Sequence, residues 1–95
     1  MFDKKTYANG QKTYDFKDDV LTVYFKNGQV KATGKHIDGM MEGEWLFYRE
    51  DGSLWQVGNL KNNEKHGRWI RYDKSNNVEY DEMFENGKKL NVKKQ

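Results

Sequence analysis

Short runs of apolar residues alternate with polar positions along the chain, and each run ends at a turn signal. The runs "VLTVYF", "EWLFYR" and "RWIRYD" are rich in aromatic and β-branched residues, and they lead into "KNG", "EDG" and "SNN". A second run follows each turn and ends in its own pair, which is Asp38-Gly39, Asn62-Asn63 or Asn86-Gly87. Gly and Asn tolerate the positive φ that tight hairpin turns require. Two turns in each unit predict two antiparallel strands in each unit.

These units recur with a period of 24 residues. Gly43 and Trp45 align with Gly67 and Trp69, and Leu21 occupies the tryptophan position one period earlier. We place the units at about 20–42, 43–66 and 67–90, with a partial capping unit at 7–19 and a tail at 91–95. Stacked repeats bury each other's apolar side chains, which one unit cannot do alone. The pattern predicts one all-β domain over residues 1–95, an antiparallel β-meander of about six to eight strands in a single twisted sheet.

Alternation along the first strand of each unit divides the large rings between two faces of this sheet. Trp45 and Trp69 share one face, whereas Tyr24, Tyr48 and Tyr72 lie on the other. Both faces are partly apolar, so the residues alone leave open which face is buried. We expect the glycine before each tryptophan to let a ring from a neighbouring unit lie against its backbone.

Composition supports a folded chain in spite of a mean hydropathy of -1.19. Aromatic residues make up 15% of the sequence, and disordered chains are poor in them. The formal net charge of +2 gives no strong field for nucleic acid. The absence of cysteine excludes disulfides and thiolate chemistry. No apolar run is typical of a signal peptide or a membrane span, so we expect a cytoplasmic protein.

The stretch "GEWLFYREDGSLWQVGNLKNNEKHGRWIRYDKSNN", with its echo "YFKNGQVKATGKHIDGMMEGEW", resembles the MORN repeat in its bacterial variant form. The resemblance covers about residues 20–90. The sequence departs from that pattern at Leu21, where Trp is expected, and at Asn76-Asn77 and Glu82, where Gly is expected. These departures weaken the first and last units, as is typical of units that cap a stack.

The resemblance implies an extended sheet of β-hairpins. Small bacterial members look like the YwqK-type antitoxins, which are encoded beside a toxin and neutralise it by binding. Other MORN proteins serve as scaffolds, and some have been proposed to bind lipid. The motif carries no catalytic residues, so the resemblance implies no enzyme activity and no cofactor.

Trp55 is the candidate partner-binding residue. Its counterparts in the sister units are Lys31 and Glu79, so the position is expected to face solvent, where a Trp is out of pattern. Trp and Arg are enriched in interface hot spots, and we place Arg49, Arg71 and Glu79 around Trp55. The alternative is that Trp55 fills a local gap in the sheet.

Other chemistry finds little support in the sequence. His36 and His66 do not align in the repeat and have no carboxylate at a metal-ligand spacing, so no metal site is predicted. Basic residues surround Trp69, as in sheets that bind single-stranded nucleic acid, but the near-neutral net charge and the lack of a nucleic-acid-binding signature weigh against that function. The lysine-rich tail lacks an amphipathic anchor for a membrane.

Two hypotheses of function remain. The first is a protein-binding module, an antitoxin or immunity protein that occludes a cognate toxin. The second is a self-associating MORN scaffold, forming a homodimer, with a membrane surface as one setting for it. An enzyme is not expected, because no nucleophile, base and orienting group are found together.

Overall fold

Eight antiparallel strands form a single open sheet in the computed structural model, which describes residues 5–90. The strands are β1 Tyr14–Lys17, β2 Val20–Tyr24, β3 Val30–Ile37, β4 Met40–Tyr48, β5 Leu54–Lys61, β6 Glu64–Tyr72, β7 Val78–Glu85 and β8 Lys88–Lys89. Each strand pairs with its neighbours in sequence, and the molecule measures 52 × 35 × 19 Å. The predicted all-β meander is confirmed. The predicted tail, residues 91–95, lies outside the described residues.

Tight turns lie at one end of the strands, which we call the turn edge, where they join β1 to β2, β3 to β4, β5 to β6 and β7 to β8. Both central residues of each turn have positive φ, as a two-residue hairpin turn of type I′ requires. These pairs are Asp18-Asp19, Asp38-Gly39, Asn62-Asn63 and Asn86-Gly87. The last three are the turn pairs that the repeat predicts.

Longer loops lie at the opposite end of the strands, called the loop edge, and they share one hydrogen-bond pattern. The backbone N–H that opens a loop donates to the carbonyl four residues later: Phe25 to Gln29, Arg49 to Ser53, and Asp73 to Asn77. Tyr7 donates to Gln11 in the same way at 2.7 Å. The segment before β1 therefore forms the same loop, although it falls outside the 24-residue spacing.

Side chains tie each of these loops to the next. Asn9 Nδ2 donates to the Lys26 carbonyl at 3.0 Å, and Asn27 Nδ2 donates to the Glu50 carbonyl at 2.9 Å. Arg49 Nη2 continues the series with a bond of 2.6 Å to the Tyr72 carbonyl. The loops thus stack along the edge as the strands do.

Hydrogen bonds within the loops lower the pKa of two carboxyl groups. Asp73 Oδ1 accepts from the backbone N–H of Ser75 at 2.8 Å and of Asn77 at 2.9 Å. The Asn77 bond contributes most to holding the pKa of Asp73 below its ordinary value of 3.8. Bonds from Ser53 lower the pKa of Asp51 in the same way.

Acid is therefore expected to destabilise the sheet. A depressed carboxyl pKa contributes stability that is complete above the unfolded-state pKa and is lost as pH falls through the folded-state pKa. The free energy of unfolding should stay level down to about pH 4 and decrease below it. Asp73→Asn keeps an acceptor oxygen without a titrating proton, so its acid limb should be shallower. Urea titrations across this range measure the limb, and an equally steep limb in Asp73→Asn would contradict the assignment.

The buried side chains all lie on the sheet face that carries the two tryptophans, which we call the Trp face. They are Leu21, Ala32, Trp45, Gln56, Leu60, Trp69 and Phe84. The opposite face, called the Tyr face, carries Leu46, Val57 and Ile70 in register across β4, β5 and β6, and all three are half-buried. The structure therefore decides which face forms the core, a question that the alternation left open.

Each buried indole lies on a glycine of the preceding strand. Trp45 pairs with Gly34 and Trp69 pairs with Gly58. A Cβ atom on Gly34 would lie 2.4 Å from the Trp45 ring, and one on Gly58 would lie 2.3 Å from the Trp69 ring. Only a residue without a side chain admits the ring at these two positions.

The prediction that the glycine before each tryptophan accommodates a ring is wrong. Gly43 and Gly67 have φ values of +72° and +95°, and no ring lies against either of them. They occur where the strand register shifts, at a bulge that positive φ makes possible. Each indole N–H then donates to a backbone carbonyl at this irregularity: Trp45 to Lys35 at 2.9 Å and Trp69 to Asn59 at 2.7 Å.

This packing explains why Gly is absent at position 82. Glu82 lies one period after Gly58 and pairs with Trp69 on the Trp face. The next tryptophan position is 93, where the sequence has Lys. Because no indole follows, a side chain is tolerated at Glu82.

Candidate functional site

The Trp face carries an open groove of about 590 Å³ over the first two units. Its floor is apolar and consists of Leu21, Val23, Ala32, Trp45 and Phe47. Phe25, Lys31, Arg49, Glu50 and Trp55 line it toward the loop edge, and His36, Met41 and Asn63 line it toward the turn edge. No helix or second sheet within residues 5–90 covers this face.

An aromatic row crosses the groove floor. The Trp45 and Phe47 ring centroids are 6.2 Å apart, and the Phe47 and Trp69 centroids are 5.8 Å apart, each pair with planes inclined by 30°. Phe47 is only half-buried, whereas Trp45 is 1% exposed. The two tryptophans therefore support the sheet, and Phe47 presents apolar surface to the groove.

Arg71 interrupts the apolar pattern at the end of this row. It lies one period after Phe47 and two after Val23, which are both apolar. Its Nε and Nη2 donate to Gln56 Oε1 at 3.2 and 3.0 Å. Its guanidinium carbon lies 5.1 Å from the Trp55 ring centroid and 5.2 Å from that of Tyr80. We call Gln56, Trp55, Tyr80 and Arg71 the Arg71 cluster.

The structure brings two of the four predicted site residues together, since Arg71 contacts the Trp55 ring. Trp55 is half-buried at the groove wall instead of facing solvent, and its ring contacts the Arg71 guanidinium. Arg49 lines the same groove, but its guanidinium is hydrogen-bonded to the carbonyl of Tyr72 at the end of β6. Glu79 is exposed and forms no hydrogen bond or ion pair with the other three within the described chain. Their role in binding stays a prediction.

Sequence reasoning missed Gln56, Tyr80 and Phe47. The repeat alignment contained a signal for them. One repeat after Phe47 the sequence has Arg71, and one repeat after Ala32 it has Gln56. An apolar pair exchanged for a hydrogen-bonded polar pair at neighbouring positions indicates a local change of environment.

Several cations lie over rings on the Trp face. Lys65 Nζ is 4.8 Å from the ring centroids of both Trp69 and Phe84, and Lys31 Nζ is 5.8 Å from that of Phe25. Within residues 5–90, neither lysine nor Arg71 forms an ion pair. The pair of Arg68 with Asp81 lies on the Tyr face, where Asp81 shares a row with Ile70.

The two histidines occupy separate places. The His36 ring meets the Phe16 ring edge-on at 6.3 Å, and His66 Nδ1 accepts from the Asn86 backbone N–H at 3.3 Å. Among the described residues, no three potential metal ligands are grouped together.

Residues 41–62 and 65–86 each match the family model described as MORN repeat variant. The first match covers most of the β4–β5 hairpin and the second most of the β6–β7 hairpin. These two segments therefore match the MORN-variant repeat, and the predicted resemblance is confirmed for them. No curated protein and no solved structure matches the chain. No helix in the described part of the chain is long and apolar enough to cross a membrane.

Proposed function

We propose that this MORN-repeat chain is a protein-binding module, an antitoxin or immunity protein that neutralises a cognate toxin by occluding it. The observation that carries the proposal is the uncovered apolar groove on the Trp face. Concave, mostly apolar surfaces with a few polar groups at the rim are typical binding sites. The MORN-variant repeats themselves favour a binding or scaffolding module.

Occlusion requires a rigid surface, and three features of the sheet provide one. The indoles are fixed on Gly34 and Gly58, and their N–H groups bond to backbone carbonyls. The loops are linked along their edge by side-chain hydrogen bonds. A preorganised surface loses little conformational entropy on binding, which favours a long-lived complex. The toxin would be held on the Trp face and so kept from its substrate. The complex would form in the cytoplasm and would need no cofactor.

Co-expression tests this proposal. The product of the gene beside this one is expressed alone and together with the chain, and growth and complex formation are measured. We expect a product that is toxic alone, harmless with the chain, and recovered with it in a stoichiometric complex. A neighbouring product that remains toxic and never binds would contradict the antitoxin function.

Trp55→Ala should separate binding from folding. The ring is half-buried and its main described contact is the Arg71 guanidinium, so we expect a loss of about 1–2 kcal/mol in unfolding free energy. Loss of a hot-spot Trp should weaken toxin binding by about tenfold or more. Thermal melts and titration calorimetry measure the two effects. A collapse of the melting temperature would place Trp55 in the core and remove it from the interface.

The alternative function is a self-associating scaffold, and the Tyr face favours it. Leu46, Val57 and Ile70 are half-buried there, and a second groove of about 380 Å³ lies nearby. A homodimer would cover this surface. Light scattering over a range of concentrations distinguishes the two functions, because a monomer without partner contradicts the scaffold. A membrane surface as the place of this scaffold would depend on the lysines within residues 88–95, and residues 91–95 lie outside the described part of the chain.

A further inference from the structure

We infer that Arg71 is the anchor for a carboxylate of the bound protein, so that the Trp face takes an acidic segment carrying an apolar side chain. This inference rests on the proposed protein-binding function and names the chemistry of the partner. Four observations support it: the position of Arg71, the geometry of its guanidinium, the charges around it, and its distance from the groove.

A cation at position 71 stabilises the sheet no more than an apolar residue would, unless a bound partner engages its charge. The column to which it belongs is apolar in the two earlier units, at Val23 and Phe47. A cation placed among rings loses part of its hydration, and a well-packed apolar residue is often at least as stabilising. The neighbouring column supplies only a neutral acceptor, Gln56, so the charge is offset by the Trp55 and Tyr80 rings and not by a carboxylate of the described chain.

The guanidinium is held in one orientation with donors to spare. Arginine has five N–H groups in a planar fork, and Gln56 Oε1 engages only Nε and Nη2. Trp55 and Tyr80 flank the group from the neighbouring strands β5 and β7, at 5.1 and 5.2 Å. The Arg71 side chain forms no other hydrogen bond within the described chain. The free donors suit a carboxylate, which arginine binds with charge-assisted bonds in a fixed geometry.

The charges elsewhere on the Trp face are mixed, since Glu50 lines the groove and Glu82 pairs with Lys89, so Arg71 itself calls for an acidic partner. Lys31 and Lys65 also lie over rings on the Trp face, and neither pairs with a carboxylate of residues 5–90. Complementary charge on a partner steers association and fixes register. A partner without a carboxylate would cover Arg71 unpaired, which should weaken binding by about tenfold or more. Arg71 therefore selects against neutral and basic segments as well as for acidic ones.

The distance from the groove sets the spacing within the segment. Arg71 pairs with Gln56, which pairs with Phe47, so two strand spacings separate Arg71 from the groove floor. Two spacings amount to about 10 Å. The bound segment therefore carries an apolar side chain for the groove and an Asp or Glu carboxylate about 10 Å away.

A random-peptide display library selected on the intact chain tests the inference. We expect enriched peptides to carry Asp or Glu at a fixed offset from Leu, Ile, Phe or Trp. The synthetic consensus peptide should bind Arg71→Gln about tenfold or more weakly, and Arg71→Lys, which keeps the charge without the fork, to an intermediate degree. Arg68→Gln is the matched control, since it removes the same charge from the other face of β6 and should change the Kd by less than about twofold.

Thermal melts of Arg71→Gln and Arg71→Lys show whether each variant is folded before its Kd is compared. A consensus without acidic residues, or one that binds Arg71→Gln as tightly as the wild type, would overturn the anchor and leave the toxin-rescue result untouched. Titration with laurate, which has one carboxylate and an apolar chain, is a second test. If laurate binds only when Arg71 is present and no peptide consensus emerges, the groove takes a small amphiphilic acid instead of a protein segment. Failure of toxin rescue would instead remove the proposed function itself.

Discussion

Trp45→Ala is expected to lower the free energy of unfolding by about 3–5 kcal/mol. Trp45 is 1% exposed, stacks with Phe47 at 6.2 Å, and donates its indole N–H to the Lys35 carbonyl at 2.9 Å. Alanine removes the ring, leaves a cavity above Gly34 and leaves that carbonyl without this donor. A single-layer sheet of this size has few other buried side chains to compensate.

Urea denaturation followed by tryptophan fluorescence and circular dichroism measures the effect. Trp69→Ala is the matched variant one repeat later, and it should lose a similar amount because its ring is 4% exposed and bonds to Asn59. Trp55→Ala is the contrasting control, with a loss of about 1–2 kcal/mol. Equal losses in Trp45→Ala and Trp55→Ala would contradict the division between core and groove tryptophans.

Gly34→Ala is expected to lower the free energy of unfolding by about 2–3 kcal/mol. The added Cβ would lie 2.4 Å from the Trp45 ring, a distance that carbon atoms do not adopt without displacement. The φ of Gly34 is not in the left-handed region, so the loss comes from this contact and not from backbone strain. The indole, held by its hydrogen bond to Lys35, has to move away from the strand.

A double-mutant cycle isolates this contact. In the Trp45→Ala background the ring is gone, so Gly34→Ala should cost little there, and the two changes should be non-additive by about 1–3 kcal/mol. Gly39→Ala is the control: no atom lies within 4 Å of its Cβ position, so its loss comes from a φ of +79° and should add to that of Trp45→Ala. A Gly34→Ala loss of the same size in both backgrounds would show that the ring does not lie on this glycine.

The sequence was sufficient to predict the strands because both of its signals are local. Turn pairs such as Asp38-Gly39 and Asn62-Asn63 specify where the chain reverses, and their recurrence after 24 residues specifies how many hairpins follow. In a meander each strand pairs with its sequence neighbour, so no long-range pairing had to be inferred. The separation of Trp45 and Tyr48 onto opposite faces followed from strand alternation in the same way.

The candidate site was predictable only in part. The repeat position singles out Trp55, with Arg49, Arg71 and Glu79 expected around it, and of these three the structure places the Arg71 guanidinium over the ring. The same register shift in each repeat unit leaves Lys31, Trp55 and Glu79 unpaired, but only Trp55 is half-buried. The contact of its ring with Arg71 joins two neighbouring strands, so alternation along one strand does not reveal it.

By itself the sequence determined the repeat, the turns within it, the approximate number of strands and the two faces, since each depends on residues close together in the chain. Only the tertiary structure decided which face is buried, which glycines accommodate the indoles, and that Arg71 ends the apolar row with free donors. These features arise from contacts between residues about 10–25 positions apart, such as Trp45 on Gly34 and Arg71 on Gln56. Side-chain packing across neighbouring strands, which no local pattern encodes, therefore creates the groove and the cation beside it.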